Sequence, residues 1–568
     1  MTPQPMVQNT TVEPAREPAA ASPSPSRGPA RRIWHLVAFC SVALASLAVD
    51  LGRVHLQSHS DSYVPILASL QRWTLFYWDQ ARYGLLVPLI ALPVTDPLYN
   101  LLLQRAILIL SGLVAIPLIV RFVLPRSPWV HTGLLAIAAL LSLAPHPWSF
   151  EYLADQPYGL SLVLALGALV LAETPPGTRC GVMPWRWGVS PLRLLSATVL
   201  MIAAHWVNVA AGLILLPLAA ARAAGELIGS GTWCWRSLFK NTAFICAGLI
   251  AGQIMLRSYA AISGVHRGVH FAVLPPALWL GAWLATLRDS LRATGTAWPI
   301  FMLAASVLAL LVASRHRGAE SERARRHVAL GHGLLLAGAG LAYALAMASF
   351  RWVADNGFGY RYFAPTVVML HVAACSTVAS AIACHARAAR IRGTTLAALV
   401  PLAALWSYGM PSVSRVRTDV EVKSGHLSEA VLHFRCDILA GDYWTVWPTV
   451  LHASIILHER RGEGAVYGLT ARARPTVPLW AGRPVGDLRV CRIASERAEA
   501  ERWLRMYGLW PVEVLAERGG IELLVAGKAS HGRLDSCRPG ASGSRTERSA
   551  SVDERARARP AWACGDPG

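Results

Sequence analysis

The sequence is short of charge. Only 15% of its 568 residues are Asp, Glu, Lys or Arg, where a soluble chain carries about 25%. That deficit, with 54% hydrophobic residues and a mean hydropathy of +0.40, excludes an ordinary soluble globular protein and implies a polytopic membrane protein. Metal-type cysteine spacing is also lacking. The ten cysteines contain no CxxC pair, which argues against a structural zinc site. No internal repeat is found, and the charges sit in loops rather than in mid-span, with Arg105 beside Gln104, early in its span, the exception and Arg257 near a span end. Both features speak against a transporter built from repeats. Acids are scarce, 33 against 53 basic residues, for a formal charge of +20. The arginines fall in short clusters between apolar runs and in the two tails, as the positive-inside rule produces. No nucleic-acid partner is expected, because a basic face needs a soluble domain to display it.

What is there is a succession of apolar runs. Residues 1–30, rich in Pro, Ala and Ser, read as a disordered cytoplasmic tail. Arg31 and Arg32 then precede Ile33 to Leu51, about 19 residues and long enough to cross a hydrocarbon core of about 30 Å. Ala43-Leu44-Ala45 leaves a cleaved signal peptide open as the competing reading. Residues 31–411 make a polytopic membrane domain with outward loops 52–97, 145–156, 260–297 and 350–360. The run 194–221 breaks at His205-Trp206-Val207-Asn208 into two short helices meeting at a further outward turn. The expected fold is mainly α, a polytopic helical membrane protein of about eleven spans, N-terminus in and C-terminus out, with every basic cluster between spans on one side. Residues 412–528 read as a small soluble α/β extracytoplasmic domain, with strand-like segments 465–469, 488–493 and 521–525 and a helix over 494–507. Cys436 and Cys491 lie in it, and an oxidising compartment would let them pair. Residues 529–568 read as a disordered tail.

Ionisable residues at membrane level are costly and mark pathways or sites. They gather on the outward side here: Asp61, Asp79 and Arg82 in the first loop, Glu151 and Asp155 in the second, His205 and Asn208 at the turn, then His266, Arg267 and His270, and finally Arg351, Asp355, Arg361 and Tyr362. The first loop interleaves its charges with Trp73, Phe76, Tyr77 and Trp78.

An acidic residue in the first outward loop, an acidic second loop, a His-containing turn between short helices and Arg361-Tyr-Phe-Ala-Pro365 at the entry of a late span resemble the GT-C superfamily. These are membrane glycosyltransferases that use polyprenyl-phosphate sugars. The resemblance covers roughly residues 33–411. It implies an inner-membrane enzyme of the cell envelope whose partners are membrane lipids and a lipid-linked sugar donor. Asp61 is then the general base. Arg82 and Arg361 clamp the departing phosphate, and Glu151, Asp155, His205 and Tyr362 contribute to substrate binding. The second loop has no Asp-x-Asp pair, so use of a divalent cation stays open.

Each position also has a plainer reading. Ser60-Asp61-Ser62 reads as a helix N-cap. Asp79 and Arg82 have the spacing of an i,i+3 pair. Trp73 to Trp78 fits an interfacial aromatic belt as well as a sugar platform, and Arg361 can snorkel to the headgroups. His205 fits a satisfied core histidine, and Glu151 and Asp155 fit solvated loop positions. In Gly441-Asp-Tyr-Trp-Thr-Val-Trp-Pro448 the aromatics fit a core anchor or a carbohydrate face. A transporter or lipid flippase and a non-catalytic membrane assembly protein are the competing functions.

Overall fold

The computed structural model describes residues 28–53, 58–80, 83–124, 129–144, 146–173, 190–230, 235–264, 272–292, 303–305, 307–308, 311, 320–383 and 393–528. Arg82, the His266 to His270 cluster, both tails and most of the apolar run 298–314 lie outside them. The chain is mainly helical with a small C-terminal sheet. Six helices among the described residues are long and apolar enough to cross a membrane, or seven if the bent pair Trp148–Asp155 and Tyr158–Ala172 is one span. Trp129–Leu143, Pro191–Val207 and Ala364–Ala379 are shorter apolar helices.

Local chemistry sets the ends of these helices. Asp96 caps Pro97–Val123, its carboxylate accepting from the Leu98 N–H at 2.8 Å and the Tyr99 N–H at 3.0 Å. Pro97 follows in the first helical position, where its missing N–H costs nothing. Helix Pro191–Val207 repeats the pattern with Ser190 as cap. It ends at Asn208, and Ala210–Ser230 begins at once. The break expected at 205–208 is therefore real. The bent pair turns by 65° at Gln156-Pro157, because proline cannot donate to the preceding turn. The turn before the bend, Glu151–Asp155, is π-helical, a local form frequent at functional sites.

Packing among the membrane helices relies on small residues. Gly159 of Tyr158–Ala172 sits against the backbone of Gly112 in Pro97–Val123, so closely that a Cβ there would collide with it. Lipid offers no hydrophobic drive between helices, and close backbone approach supplies dispersion contact instead.

After Tyr408 the helix Val413–His433 leads into a five-stranded sheet of β1 (Ile438–Ala440), β2 (Tyr467–Leu469), β3 (Val490–Ile493), β4 (Leu509–Arg518) and β5 (Ile521–Lys528). The strand order is β2-β1-β3-β5-β4. β1 pairs parallel with β2 and β3, and β5 pairs antiparallel with β3 and β4. Pro511 falls in β4, at the sheet edge, where a missing donor is tolerated. The helix Tyr443–Glu459 connects β1 to β2. Cys436 and Cys491 form a disulfide, with Cα atoms 5.8 Å apart, that ties the entry of β1 to β3.

The membrane helices form one apolar core. The second core is shared between the sheet and the first loop: Tyr63, Val64, Ile66, Leu67, Tyr77 and Trp78 pack with Val446, Trp447, Leu469 and Val490. Trp78 meets Trp447 edge-on at 5.5 Å. Phe76, Tyr77 and Trp78 are fully buried. They are neither an interfacial belt nor a sugar platform: Tyr77 and Trp78 anchor the first loop to the C-terminal part, while Phe76 packs on Val209, Leu256 and Tyr259 of the membrane helices.

Candidate functional site

Asp61 stands in the first turn of helix Ser60–Leu70. It does not cap that helix. The N-cap is His59, whose side chain makes no capping bond. Asp61 is 3% exposed and turns its carboxylate toward the C-terminal part. The Tyr443 hydroxyl donates to Oδ1 at 2.6 Å and the Tyr77 hydroxyl at 3.3 Å. Arg472 donates to the same oxygen, forming an ion pair. Arg361 approaches from the membrane helices, its Nη1 3.8 Å from Oδ2. Burial raises the pKa of both tyrosines, and the negative charge of Asp61 adds to the rise. They therefore stay neutral donors.

Asp61, Arg361 and Arg472 line a cavity of about 340 Å³ between the membrane helices and the C-terminal part. Its charged lining, among the described residues, is Asp61, Arg361 and Arg472. Gln156 and Tyr158 line it just past the bend of the second loop, Asn208 to Ala210 from the helix break, and Trp352, Asn356 and Tyr362 from the late loop. Trp444, half exposed, closes the C-terminal side. The Tyr362 hydroxyl accepts from Arg361 Nη2 at 2.8 Å, and the Arg361 guanidinium lies 4.9 Å from the Tyr362 ring. Arg361 is thus aimed along the cavity wall.

The remaining expected residues stand apart from the cavity lining. Asp155 is buried, accepting from Ser62 Oγ at 2.6 Å and from Gln156 Nε2 at 2.8 Å. Glu151 is buried with it, so neither is a solvated loop acid. Arg105 lies beneath, donating to the Ala154 carbonyl at 2.8 Å and to Ser58 Oγ at 2.6 Å. Arg105, within helix Pro97–Val123, thereby holds the second loop to the first. Ligand atoms of His59, Glu151 and Asp155 lie within 4.8 Å of one another. One imidazole and two carboxylates suit a divalent cation, though both Asp155 oxygens would have to share with their present donors. His205 is fully buried, with Nδ1 2.9 Å from the Met201 carbonyl. Gly212, Gly248 and Gly252 pack about its side chain; a Cβ on Gly212 would lie 2.9 Å from Nε2. It stands beneath the break with Nε2 buried and without a hydrogen-bond partner among the described residues, while Asn208, three residues on, reaches the cavity. Arg82 lies outside the described residues. Asp79 accepts from the Arg474 backbone N–H at 2.9 Å, a partner that the i,i+3 reading did not foresee.

A scan against protein-family models finds no match, and no curated protein matches. Among solved structures, the chain superposes on the crystal structure of ArnT from Cupriavidus metallidurans bound to undecaprenyl phosphate. The TM-score is 0.46 at 12% identity, over 87% of this chain and 98% of that one. A likeness at that level carries no conclusion about activity.

The residue that sequence reasoning missed is Arg472. It comes from a loop 411 positions away from Asp61 and holds a left-handed backbone, φ 73°. An arginine in an arginine-rich chain carries no local mark, and its φ is not legible in a sequence. Tyr443 and Trp444 were singled out as an aromatic stretch near an acid, which was the available signal.

Proposed function

We propose that the chain is an integral membrane glycosyltransferase-like enzyme moving a sugar from a lipid-phosphate donor to an envelope glycan or lipid. The observation that supports this is the meeting of Asp61 with Arg361 and Arg472 in one cavity at the junction of membrane helices and C-terminal sheet. In the reaction, an acceptor hydroxyl oxygen forms a bond to the anomeric carbon. The bond from that carbon to the phosphate oxygen breaks, and its electron pair leaves with the phosphate. The acceptor proton passes to the Asp61 carboxylate. The guanidinium groups stabilise the charge that grows on the phosphate. Trp444 offers a half-exposed face on which a sugar ring can stack. Under this reading the chain has about eleven spans, the N-terminus is cytoplasmic and the sheet is extracytoplasmic in a bacterial inner membrane. The Cys436–Cys491 disulfide supports that placement, since such bonds persist in oxidising compartments.

The test is Asp61→Asn in purified, lipid-reconstituted protein, assayed for sugar transfer from a polyprenyl-phosphate donor. A general base contributes about 10²–10⁴-fold, and a loss of that order is expected. Unchanged transfer removes Asp61 as the base. Movement of the donor across the bilayer with no product formed would make the protein a flippase.

A further inference from the structure

The helix Pro276–Arg292 falls in the long loop 260–297, yet its first 12 residues, PALWLGAWLATL, carry no charge. Ionisable residues return only with Arg288, Asp289 and Arg292. The helix has two faces. Trp279, Ala282, Trp283 and Thr286 recur at helical spacing and are buried or half-buried. On the other side Ala277, Leu278, Leu280, Gly281 and Leu284 are exposed, Leu280 to 65% and Leu284 to 56%. Among the described residues, that face carries no polar side chain. A single exposed leucine is ordinary on a soluble surface. A helix that is apolar all round belongs in a protein core or in lipid.

The inner face is fixed to the end of a span. Trp283 Nε1 donates to the Leu345 carbonyl at 3.1 Å and to Ser349 Oγ at 3.2 Å. The Leu274 N–H donates to the Ser349 carbonyl and the Arg351 N–H to the Ala272 carbonyl, both at 2.8 Å, which closes a bridge between Val273 and Phe350. The partner segment ends Gly331–Ala348, which is long and apolar enough to cross a membrane. That span has an exposed apolar face of its own, with Leu341 at 49% and Leu345 at 43%. Leu345 stands three residues before the end of the span, about 4.5 Å along its axis. The exposed apolar faces of the two helices therefore meet where Trp283 joins Leu345.

We propose that Pro276–Arg292 is a membrane-inserted anchor, whose uncharged turns lie among the acyl chains of the leaflet nearest the cavity and whose partner is the lipid surface itself. Twelve helical residues extend about 18 Å, short of a hydrocarbon core of about 30 Å. The helix therefore enters one leaflet without crossing it. Arg288, Asp289 and Arg292 mark its return to the headgroups. Trp279 and Trp283, with ring centroids 5.9 Å apart, suit the boundary between acyl chains and headgroups. What the anchor holds is the late loop. Trp352, next to the bridged Arg351, lines the cavity and meets the Tyr362 ring edge-on at 4.6 Å. The bilayer thereby sets the depth of one cavity wall. The insertion rests on the apolar face and on the bridge to the span, and does not depend on the proposed function.

The experiment places a photo-crosslinking residue in turn at Leu280, Leu284 and Thr286, and at the exposed Glu517 of β4 as a reference. The full chain is reconstituted into vesicles of phosphatidylcholine and phosphatidylglycerol, and phospholipid adducts are read by mass spectrometry. Leu280 and Leu284 should give several-fold more adduct than Thr286, which is turned to the protein, or Glu517. Equal yields at Leu284 and Glu517 overturn the insertion. So do adducts from Leu280 to a second copy of the chain or to the apolar run 298–314, which would mark the face as a protein contact. If the chain carrying the label at Leu280 does not fold, Leu278 on the same exposed face takes its place in the comparison. Hydrogen exchange tests what the anchor holds. With Leu280→Asp and Leu284→Asp together, an acid placed in lipid opposes insertion. The Arg351 amide, bonded to Ala272, should then exchange several-fold faster in vesicles, while the Arg474 amide, bonded to Asp79, keeps its rate. An unchanged Arg351 rate overturns the hold on the late loop, and equal acceleration of both amides overturns it as well by showing general loosening.

Discussion

At the residue scale the environment of each acid differs, and the differences assign roles. Asp61 is surrounded by donors and cations. Asp79 is half-buried with weaker support. Burial lifts its pKa to about 6, against the opposing Arg474 backbone hydrogen bond and the Arg474 and Arg472 charges. In the unfolded chain it titrates near 3.9. Between these values the folded state binds more protons, so stability falls as pH rises from about 4 to 6 and stays lower above. Asp79 also has φ 55°, a conformation that asparagine tolerates well. Asp79→Asn keeps an oxygen for the Arg474 N–H and removes the ionisation. We expect it to be more stable than wild type at pH 7.5, by on the order of 2 kcal/mol, with the gap closing by pH 4. Thermal unfolding in detergent at the two pH values measures this, and an equal gap at both would contradict it. The aromatic residues of the first loop were conspicuous in the sequence, yet their use was ambiguous. Trp78 reads identically as a belt residue and as a core anchor, because only the partner surface, Trp447, distinguishes them.

At the element scale, helix breaks place the site. The break at Asn208 and the bend at Gln156-Pro157 bring short pieces of backbone to the cavity wall, where Gln156, Asn208, Val209 and Ala210 line it. The break at Asn208 was legible from polar residues interrupting an apolar run; at the second loop the sequence showed only a short polar loop over 145–156, not the bend at Pro157. Helix crossings were not legible, since a glycine in a membrane helix does not announce its neighbour. The Gly112–Gly159 contact makes a testable case. A Cβ at Gly159 would meet backbone, which cannot yield, whereas one at Gly167 on the same helix meets nothing within 4 Å. Gly159→Ala should therefore destabilise the chain by about 1–3 kcal/mol, read as a lowered midpoint of detergent unfolding. Gly167→Ala should leave that midpoint where it is. Equal midpoints for the two variants would rule out the close crossing.

On the scale of the whole molecule, the sheet and the first loop behave as one body. Their shared core joins Tyr63, Tyr77 and Trp78 to Val446, Trp447 and Leu469. Ser60 Oγ donates to the Tyr443 carbonyl at 2.8 Å across the same seam. Whatever side of the membrane carries the first loop must carry the sheet as well. That coupling gives the topology a single test. Alkaline phosphatase fused after Lys528, the end of β5, should be active in a bacterial host, because it folds only in an oxidising compartment. An inactive fusion in a stably expressed chain would reverse the orientation and move the site to the cytoplasmic face.

The sequence by itself determined that the chain is a helical membrane protein with a mixed C-terminal segment. Hydropathy and charge distribution act locally and are written residue by residue. It also marked Asp61 and Arg361, because an ionisable group in an oily chain is expensive and therefore visible. Only the tertiary structure decided that these two face each other, that His205 is buried beneath the helix break, and that Glu151 and Asp155 are buried behind the cavity. It alone brought Arg472 to Asp61 across 411 positions. Such a contact depends on a shared core, a left-handed loop and the docking of a sheet, none of which is encoded near the residue that uses it.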